Sequence, residues 1–276
     1  MANYICKVCG YVHTGDSAPE TCPVCKVPAS EFEIQKQESK GLFADKNGNA
    51  YILTYATAMV VMVAAVLAFV AMQLQPLQET NVLNEKKMAI LTALSAEAEN
   101  YDEYITAFAV DKSGAKVESV SEAAVIDLLS DLSAAHQNGI LPIFQAADGR
   151  VVIPVTGSGL WGAIWGYVAL QEDMSTIAGI VIDHASETPG LGAEIATAKH
   201  QAMYVGKELF EGSDFVSVKL IKGGAATSGS AAKHEVDAIT GGTKTSDGVS
   251  AMLRESLGSY MTYFEQVRGE LSNNKK

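Results

Sequence analysis

The sequence predicts three parts: a small four-cysteine metal module, one membrane-spanning helix and a larger domain of the α+β class. Three observations carry this reading. All four cysteines fall within the first 25 of 276 residues. No charged residue occurs from Asn47 to Gln78. The remainder mixes helix-periodic segments with glycine-punctuated Val- and Ile-rich ones, without internal repeats. The net charge of −12 argues against nucleic acid as a partner, because that demands a Lys/Arg patch.

In the first part, Cys6-x-x-Cys9 and Cys22-x-x-Cys25 are separated by twelve residues. Each pair offers two sulfurs on one turn, and two such turns make a tetrahedral S4 cage. Two disulfides are the rival reading, but the close spacing within each pair suits a metal better. An S4 tetrahedron accepts iron and zinc alike, so spacing does not choose between them. Gly10 and Pro23 each follow a cysteine where a tight turn is needed, and Tyr4, Tyr11 and Phe32 supply a small aromatic core. The run C-x-x-C-G-Y, then A-P-E-x-C-P-x-C-x-x-P, then F-E resembles the rubredoxin-like module of rubrerythrins over residues 3–33. That resemblance implies one redox-active iron, with a structural zinc ribbon as the alternative. The module is assigned to residues 1–40.

Residues 50–72, "AYILTYATAMVVMVAAVLAFVAM", would form a helix about 35 Å long at about 1.5 Å per residue, against a bilayer core of about 30 Å. Core helices rarely stay uncharged for so long, and the folded-looking segment ahead of it argues against a cleaved signal. A span over residues 50–74 is expected, in contact with membrane lipid, with Tyr51 and Tyr55 at one interface. Lys36, Lys40 and Lys46 precede it and Lys86 and Lys87 follow, a count of three against two for a cytoplasmic N-terminus. Thiolates persist in a reducing compartment, and the rest of the chain has no cysteine, which points the same way. Residues 79–276 are then an exported, periplasmic domain.

Within that domain residues 81–108 read as helix from Val82, Met88, Leu91 and Leu94, and residues 124–135 as a second helix. Residues 150–170 read as two strands and a turn, 176–186 as a strand, and 215–224 as an alternating strand. Residues 193–210 read as a helix after a Pro-Gly turn, and 227–234 as a hinge. Gly157-Ser-Gly-Leu-Trp-Gly162 fits G-x-G-x-x-G, but the residues after it are largely aromatic and β-branched and read as strand. A dinucleotide site needs a helix there, so the motif is rejected. Two loops remain as anion cradles or ordinary turns: residues 156–162, and Thr188-Pro-Gly-Leu-Gly192, placed at a helix entrance.

Residues 234–249, "HEVDAITGGTKTSDGV", crowd four hydroxyl residues around two glycines. Such a composition fits a plain loop or a hydroxyl awaiting modification. Gly241 and Gly242 leave clearance for a bulky phosphate donor at Thr243. The pattern D-x-x-T-G-G-T-x-T resembles the signature of flavin-transferase targets, in which the phosphate of FMN is joined to the last residue of an S/T-G-A/G-T tetrad. Here that tetrad is Thr240, Gly241, Gly242 and Thr243. Relatives more often carry Ser at the first position and Ala at the third.

"GLWG" with "GYVAL", then "ETPGLG", "KLIKGGA" and "VDAITGGTKTSDGV" occur in the order seen in the C subunit of the sodium-translocating NADH:quinone oxidoreductases, which the chain resembles over about residues 50–270. The resemblance implies a periplasmic covalent-FMN domain that relays electrons from an iron–sulfur centre in the membrane to a second flavin on the B subunit. It implies FMN on Thr243, with Glu187, Thr188, Leu191, Gly192, Trp161 and Lys222 around it. Leu191 and Trp161 would pack on the ring, and Lys222 would stabilise negative charge on reduced FMN. Implied partners are the B subunit, the membrane iron–sulfur subunits and a flavin transferase, in a bacterial inner membrane. The G subunit of the Rnf ferredoxin:NAD complex shares the tetrad and "ETPGLG" and is an alternative. A membrane-anchored zinc-ribbon adaptor without redox activity is the alternative of a different class. No acid–base pair stands out, and an electron relay needs none.

Overall fold

A computed structural model describes residues 2–35 and 48–274. The chain divides into two units at Pro76/Leu77. Lys36, Lys40 and Lys46, on which the orientation count rests, lie outside the described residues.

The first unit opens with a three-stranded antiparallel sheet in which β1 (Ala2–Cys6) lies between β2 (Val12–Gly15) and β3 (Phe32–Gln35). Helix α1 then runs from Asn49 to Ala93, its apolar stretch unburied, and is long and apolar enough to cross a membrane. The tyrosines expected at an interface, Tyr51 and Tyr55, are stacked with centroids 6.1 Å apart. The sequence pattern separates a span from a helix beginning at residue 81, whereas one helix covers both. Residues 73–93 contain no glycine and are rich in Gln, Leu, Glu, Lys and Ala, so nothing but Pro76 opposes continuation. The expected extension to residue 108 is not found. The helix stops at Ala93, Ser95 takes a positive φ of 53°, and after the single turn α2 (Tyr101–Tyr104) the chain enters β4 (Ile105–Val110).

The second unit is built on a five-stranded antiparallel meander, β4 with β5 (Leu141–Ala146), β6 (Val151–Ser158), β7 (Ala163–Leu170) and β8 (Ile177–His184). Between β4 and β5 the helix expected at 124–135 is broken into α3 (Glu122–Asp127), a 3-10 turn and α4 (Leu132–Gln137). Asp131 causes the break, accepting the Ala134 N–H at 3.0 Å as the cap of α4. After β8 the expected helix at 193–210 is likewise divided. A 3-10 turn (Gly192–Ala196) precedes α5 (Ala198–Gln201), capped by Thr197, and Gly206 at φ 79° ends the run.

The strand expected at 215–224 is also shorter. β9 (Phe210–Glu211) and β10 (Asp214–Phe215) form a small hairpin, Ser217 turns the chain at φ 60°, and β11 covers Lys219–Ile221. The expected hinge at 227–234 is anchored: Ser230 bonds Glu211, Lys233 pairs with Glu208 at 2.8 Å, and His234 Nδ1 meets the Glu208 carbonyl at 2.7 Å. β12 (Glu235–Asp237) then pairs in parallel with β11, and α6 (Thr243–Gly258) and α7 (Met261–Asn274) close the chain.

Elements pack on both faces of the sheet, which is why its strands are apolar almost throughout. On one face Ile153, Val155, Ile164 and Val168 pack with Val249, Met252, Leu253 and Leu257 of α6 and with Tyr260 and Phe264. On the other, Phe144, Val152, Tyr167 and Ala169 pack with Ile90 and Leu91 of α1, with Leu94 just beyond it, and with Val125 of α3. Burying each large apolar side chain contributes about 1.5–3 kcal/mol, so α6 is held by its inward stripe rather than by the helix propensity of its first turn.

Candidate functional site

Thr243 is the first residue of the 16-residue α6, and it is exposed. The N-cap is Gly242, and no side chain caps the helix. The first amides of a helix lack intrahelical partners and lie at the positive end of its dipole. An exposed hydroxyl therefore stands beside uncapped N–H groups, an arrangement that fits a phosphate ester. Gly241 makes the turn into the helix at φ 77°, and a Cβ there would lie 2.7 Å from Leu191 Cδ2. Gly242 is buried, and a Cβ on it would meet Ile239 at 3.0 Å and Gly192 Cα at 3.4 Å. The left-handed turn and the close approach of Leu191 explain Gly241, and Gly242 serves the packing of the protein on itself.

The neighbouring hydroxyls are spent inside. Thr245 and Ser246 are each 1% exposed. Thr245 Oγ1 donates to Glu187 Oε2 at 2.5 Å, and Ser246 Oγ accepts the Ile239 N–H at 3.0 Å. Thr240 is exposed but precedes the helix.

Glu187 is itself buried, and its Oε1 accepts the Trp161 N–H at 2.8 Å. Burial alone would raise its pKa. The Thr245 hydroxyl and the N–H groups of Trp161, Leu160 and Gly162 outweigh it and hold the carboxyl below the ordinary range. Glu187, expected beside a flavin, directs its carboxylate at the β6–β7 hairpin and the first turn of α6. A Cβ on Gly159 or on Gly192 would collide with that carboxylate. The G-x-G-x-x-G stretch thus packs a hairpin around a buried anion, and β7 follows it as expected.

Trp161 and Leu191 are 67% and 42% exposed and lie on the two loops that meet at Glu187 and Gly241. Thr188 is exposed, and its carbonyl accepts the N–H groups of Leu191 and Ala193 at 3.1 Å. The helix entrance expected after it is a five-residue 3-10 turn, so the helix terminus available to an anion is that of α6. Lys222 is exposed one residue beyond β11, and the parallel register Ile221↔Asp237 brings it to the end of the sheet from which 238–243 departs. Asp237 secures this loop by accepting the Ala225 N–H at 2.7 Å. Thr240–Thr243, Leu191, Gly192, Glu187 and Trp161 thus form one site, with Lys222 joined to it only through strand order. Sequence reasoning misses Ile239, Thr245 and Ser246 as anchors. The spacing of Val249, Met252, Leu253 and Leu257 is the signal for a helix that begins at the acceptor.

At the other end of the chain the four sulfurs of Cys6, Cys9, Cys22 and Cys25 lie within 4.8 Å of one another. Cys6–Cys25 and Cys9–Cys22 are 3.6 and 3.5 Å apart. A tetrahedron with metal–sulfur bonds of about 2.3 Å has edges of about 3.8 Å, whereas a disulfide needs about 2.05 Å. The spacing fits a metal. The two knuckles share one backbone form: Gly10 and Lys26, each following a second cysteine, have φ of 70° and 64° and donate to the carbonyls of Cys6 and Cys22. Burial raises the Cys22 thiol, but the N–H groups of Cys25 and Val24 outweigh it and bring the group to about 6.

A family model for the FMN-binding domain matches residues 159–258, and one for the rubrerythrin rubredoxin-like domain matches residues 4–33. The chain is 29% identical over 245 residues to the C subunit of the Na(+)-translocating NADH-quinone reductase of Pseudomonas aeruginosa, covering 78% of this chain and 94% of the relative. It is 30% identical over 218 residues to the same subunit of Vibrio parahaemolyticus, covering 68% and 82%. The crystal structure of that subunit from Parabacteroides distasonis superposes with a TM-score of 0.61 at 35% identity, covering 69% of this chain and 96% of that one. The chain belongs to the family formed by the C subunits of the Na(+)-translocating NADH-quinone reductases.

Proposed function

We propose that this protein is an electron-transfer subunit of a sodium-translocating NADH:quinone reductase and carries FMN esterified through its phosphate to Thr243. The observation that supports this most is the contrast at the start of α6, where one hydroxyl is exposed beside uncapped amides and the next two are buried and hydrogen-bonded. FMN, when bound, supplies one- and two-electron chemistry. The chain's own residues do the holding. Thr243 provides the ester oxygen, the first amides of α6 face the phosphate, Gly241 keeps the approach open, and Trp161 and Leu191 offer apolar surface to the ring. Glu187 fixes the hairpin and the helix relative to each other. Lys222 adds positive charge at the same end of the sheet.

In this reading the electrons come from a membrane iron–sulfur subunit and leave for the flavin of the B subunit, and a flavin transferase loads Thr243. α1 is the anchor in a bacterial inner membrane, with the cysteine module in the cytoplasm and the flavin domain in the periplasm. The four cysteines hold one iron. The names of the relatives favour this complex over the Rnf alternative. The test is denaturing electrophoresis of protein co-expressed with flavin transferase, together with absorption spectroscopy. Flavin fluorescence that survives in the gel and a reducible iron band are expected. A colourless, zinc-containing protein would instead support the adaptor reading.

A further inference from the structure

Helix α1 covers only part of the sheet face on which it ends. Its last turns lie over Val152 and Ala169, and the Ala93 carbonyl packs against Gly179, where a Cβ would collide with it. The next two cross-strand rows are Pro154–Tyr167–Val181 and Thr156–Trp165–Asp183. They floor a cleft of about 590 Å³, walled by α1 at Val82 and Glu85 and by residues 129–133. α6 packs against the opposite face of the same strands, so the cleft is separate from the Thr243 site.

Its chemistry is specific. The floor is apolar and aromatic, and Trp165 remains 37% exposed within it. The rim carries Glu85, Asp131 and Asp183 against one cation, Lys86, which donates to Ser130 Oγ at 2.9 Å. Asp131 is engaged in capping α4. Among the described residues neither Glu85 nor Asp183 has an ion-pair partner. Trp165 and Asp183 are direct cross-strand neighbours, so their Cβ atoms lie about 5 Å apart. An aromatic face beside carboxylates is what a lysine or arginine on an otherwise apolar segment binds. The same acidic rim repels anionic lipid headgroups.

We infer that this cleft docks a short segment of a neighbouring subunit, apolar in character and carrying at least one Arg or Lys that lies over Trp165 between Glu85 and Asp183. The inference rests on the chain working within the multi-subunit reductase. Val82 follows the apolar run ending at Met72 by only ten residues, which makes a membrane-embedded subunit with a short exposed loop the fitting partner.

The experiment uses the whole complex, with a photo-crosslinking amino acid in place of Val82 and, separately, of Leu129. A crosslink to another subunit, within about four residues of an Arg or Lys, is expected from both positions. Glu85→Gln with Asp183→Asn should reduce retention of this chain in the purified complex about tenfold at moderate salt, with covalent flavin content unchanged. An assembled complex giving crosslinks only to lipid, or to a segment without a basic residue, overturns the inference, as does unchanged retention of the double variant. If the wild-type chain carries flavin but copurifies with no other subunit, the underlying assignment to a complex fails and the docking inference fails with it.

Discussion

Thr245 gives its hydroxyl hydrogen to Glu187 across 2.5 Å, in a contact that no solvent reaches. Two residues earlier in the same helix, the hydroxyl of Thr243 is exposed. Little more than half a turn of α6 therefore separates a hydroxyl used for structure from one left exposed.

Thr243→Ala should abolish flavin fluorescence under denaturing conditions, whereas Thr245→Ala should retain it and lose about 1–3 kcal/mol of domain stability, the cost of depriving a buried carboxylate of one donor. Peptide mass spectrometry of residues 235–254 places the adduct. Flavin on Thr240 or Thr245, or an unmodified peptide from cells with active transferase, would refute the assignment.

Stability of the flavin domain should depend on acid through Glu187. Its folded pKa is depressed, so its contribution is complete above the ordinary carboxylate value of about 4.3. That contribution is given up as pH falls from there through the folded value. Denaturant midpoints measured from pH 6 to pH 3 should fall in the wild type and fall less in Glu187→Gln. Parallel curves for the two proteins would show that the buried carboxylate is not the titrating group.

Gly192→Ala tests the packing between the loops and the helix. The added methyl would press on Glu187 Oε2 and Thr245 Oγ1, and overpacking of this kind costs about 1–3 kcal/mol. Covalent flavin loading should drop with it, because the first turn of α6 is displaced. A variant as stable and as fully loaded as the wild type contradicts this account.

Cys22→Ser leaves three sulfur ligands. A module of about 30 residues is too short to hold a core without a staple, so residues 2–35 should lose their metal and become protease-sensitive while flavin content stays constant. Persistence of the folded module in a strong chelator would show that it does not depend on metal.

Accessibility mapping on sealed cells checks the topology. A membrane-impermeant protease should spare the cysteine module and cleave the flavin domain at exposed positions such as Lys222. Cleavage of the first 35 residues from outside reverses the proposed orientation.

The parts legible in the sequence are those whose physics is local. Four thiolates on two tight turns, a long uncharged stretch and the Val/Ile-rich strands β6, β7 and β8 need no distant residue to be recognised. The parts that escape depend on tertiary context. The first turn of α6 reads Thr-Lys-Thr-Ser-Asp-Gly, poor helix material, and becomes helical because Val249, Met252, Leu253 and Leu257 are buried against the sheet. β4 reads as the end of a helix because the acid-rich residues before it favour one. The segment 193–210 reads as a single helix because its cap at Thr197 is a hydrogen bond, not a periodicity. The tetrad is legible as a motif, but the partner that holds the neighbouring Thr245 inside is Glu187, 58 positions away.

The placement of all four cysteines in one cluster also makes the chain its own assay. A thiol titration in native membranes counts empty metal sites and nothing else from this polypeptide, because a filled site withholds its sulfurs and no other thiol competes. A cysteine introduced anywhere in the flavin domain would, once the module is loaded, be the chain's single reactive label. Distance measurements from a dye or spin probe then need no background removal of native residues.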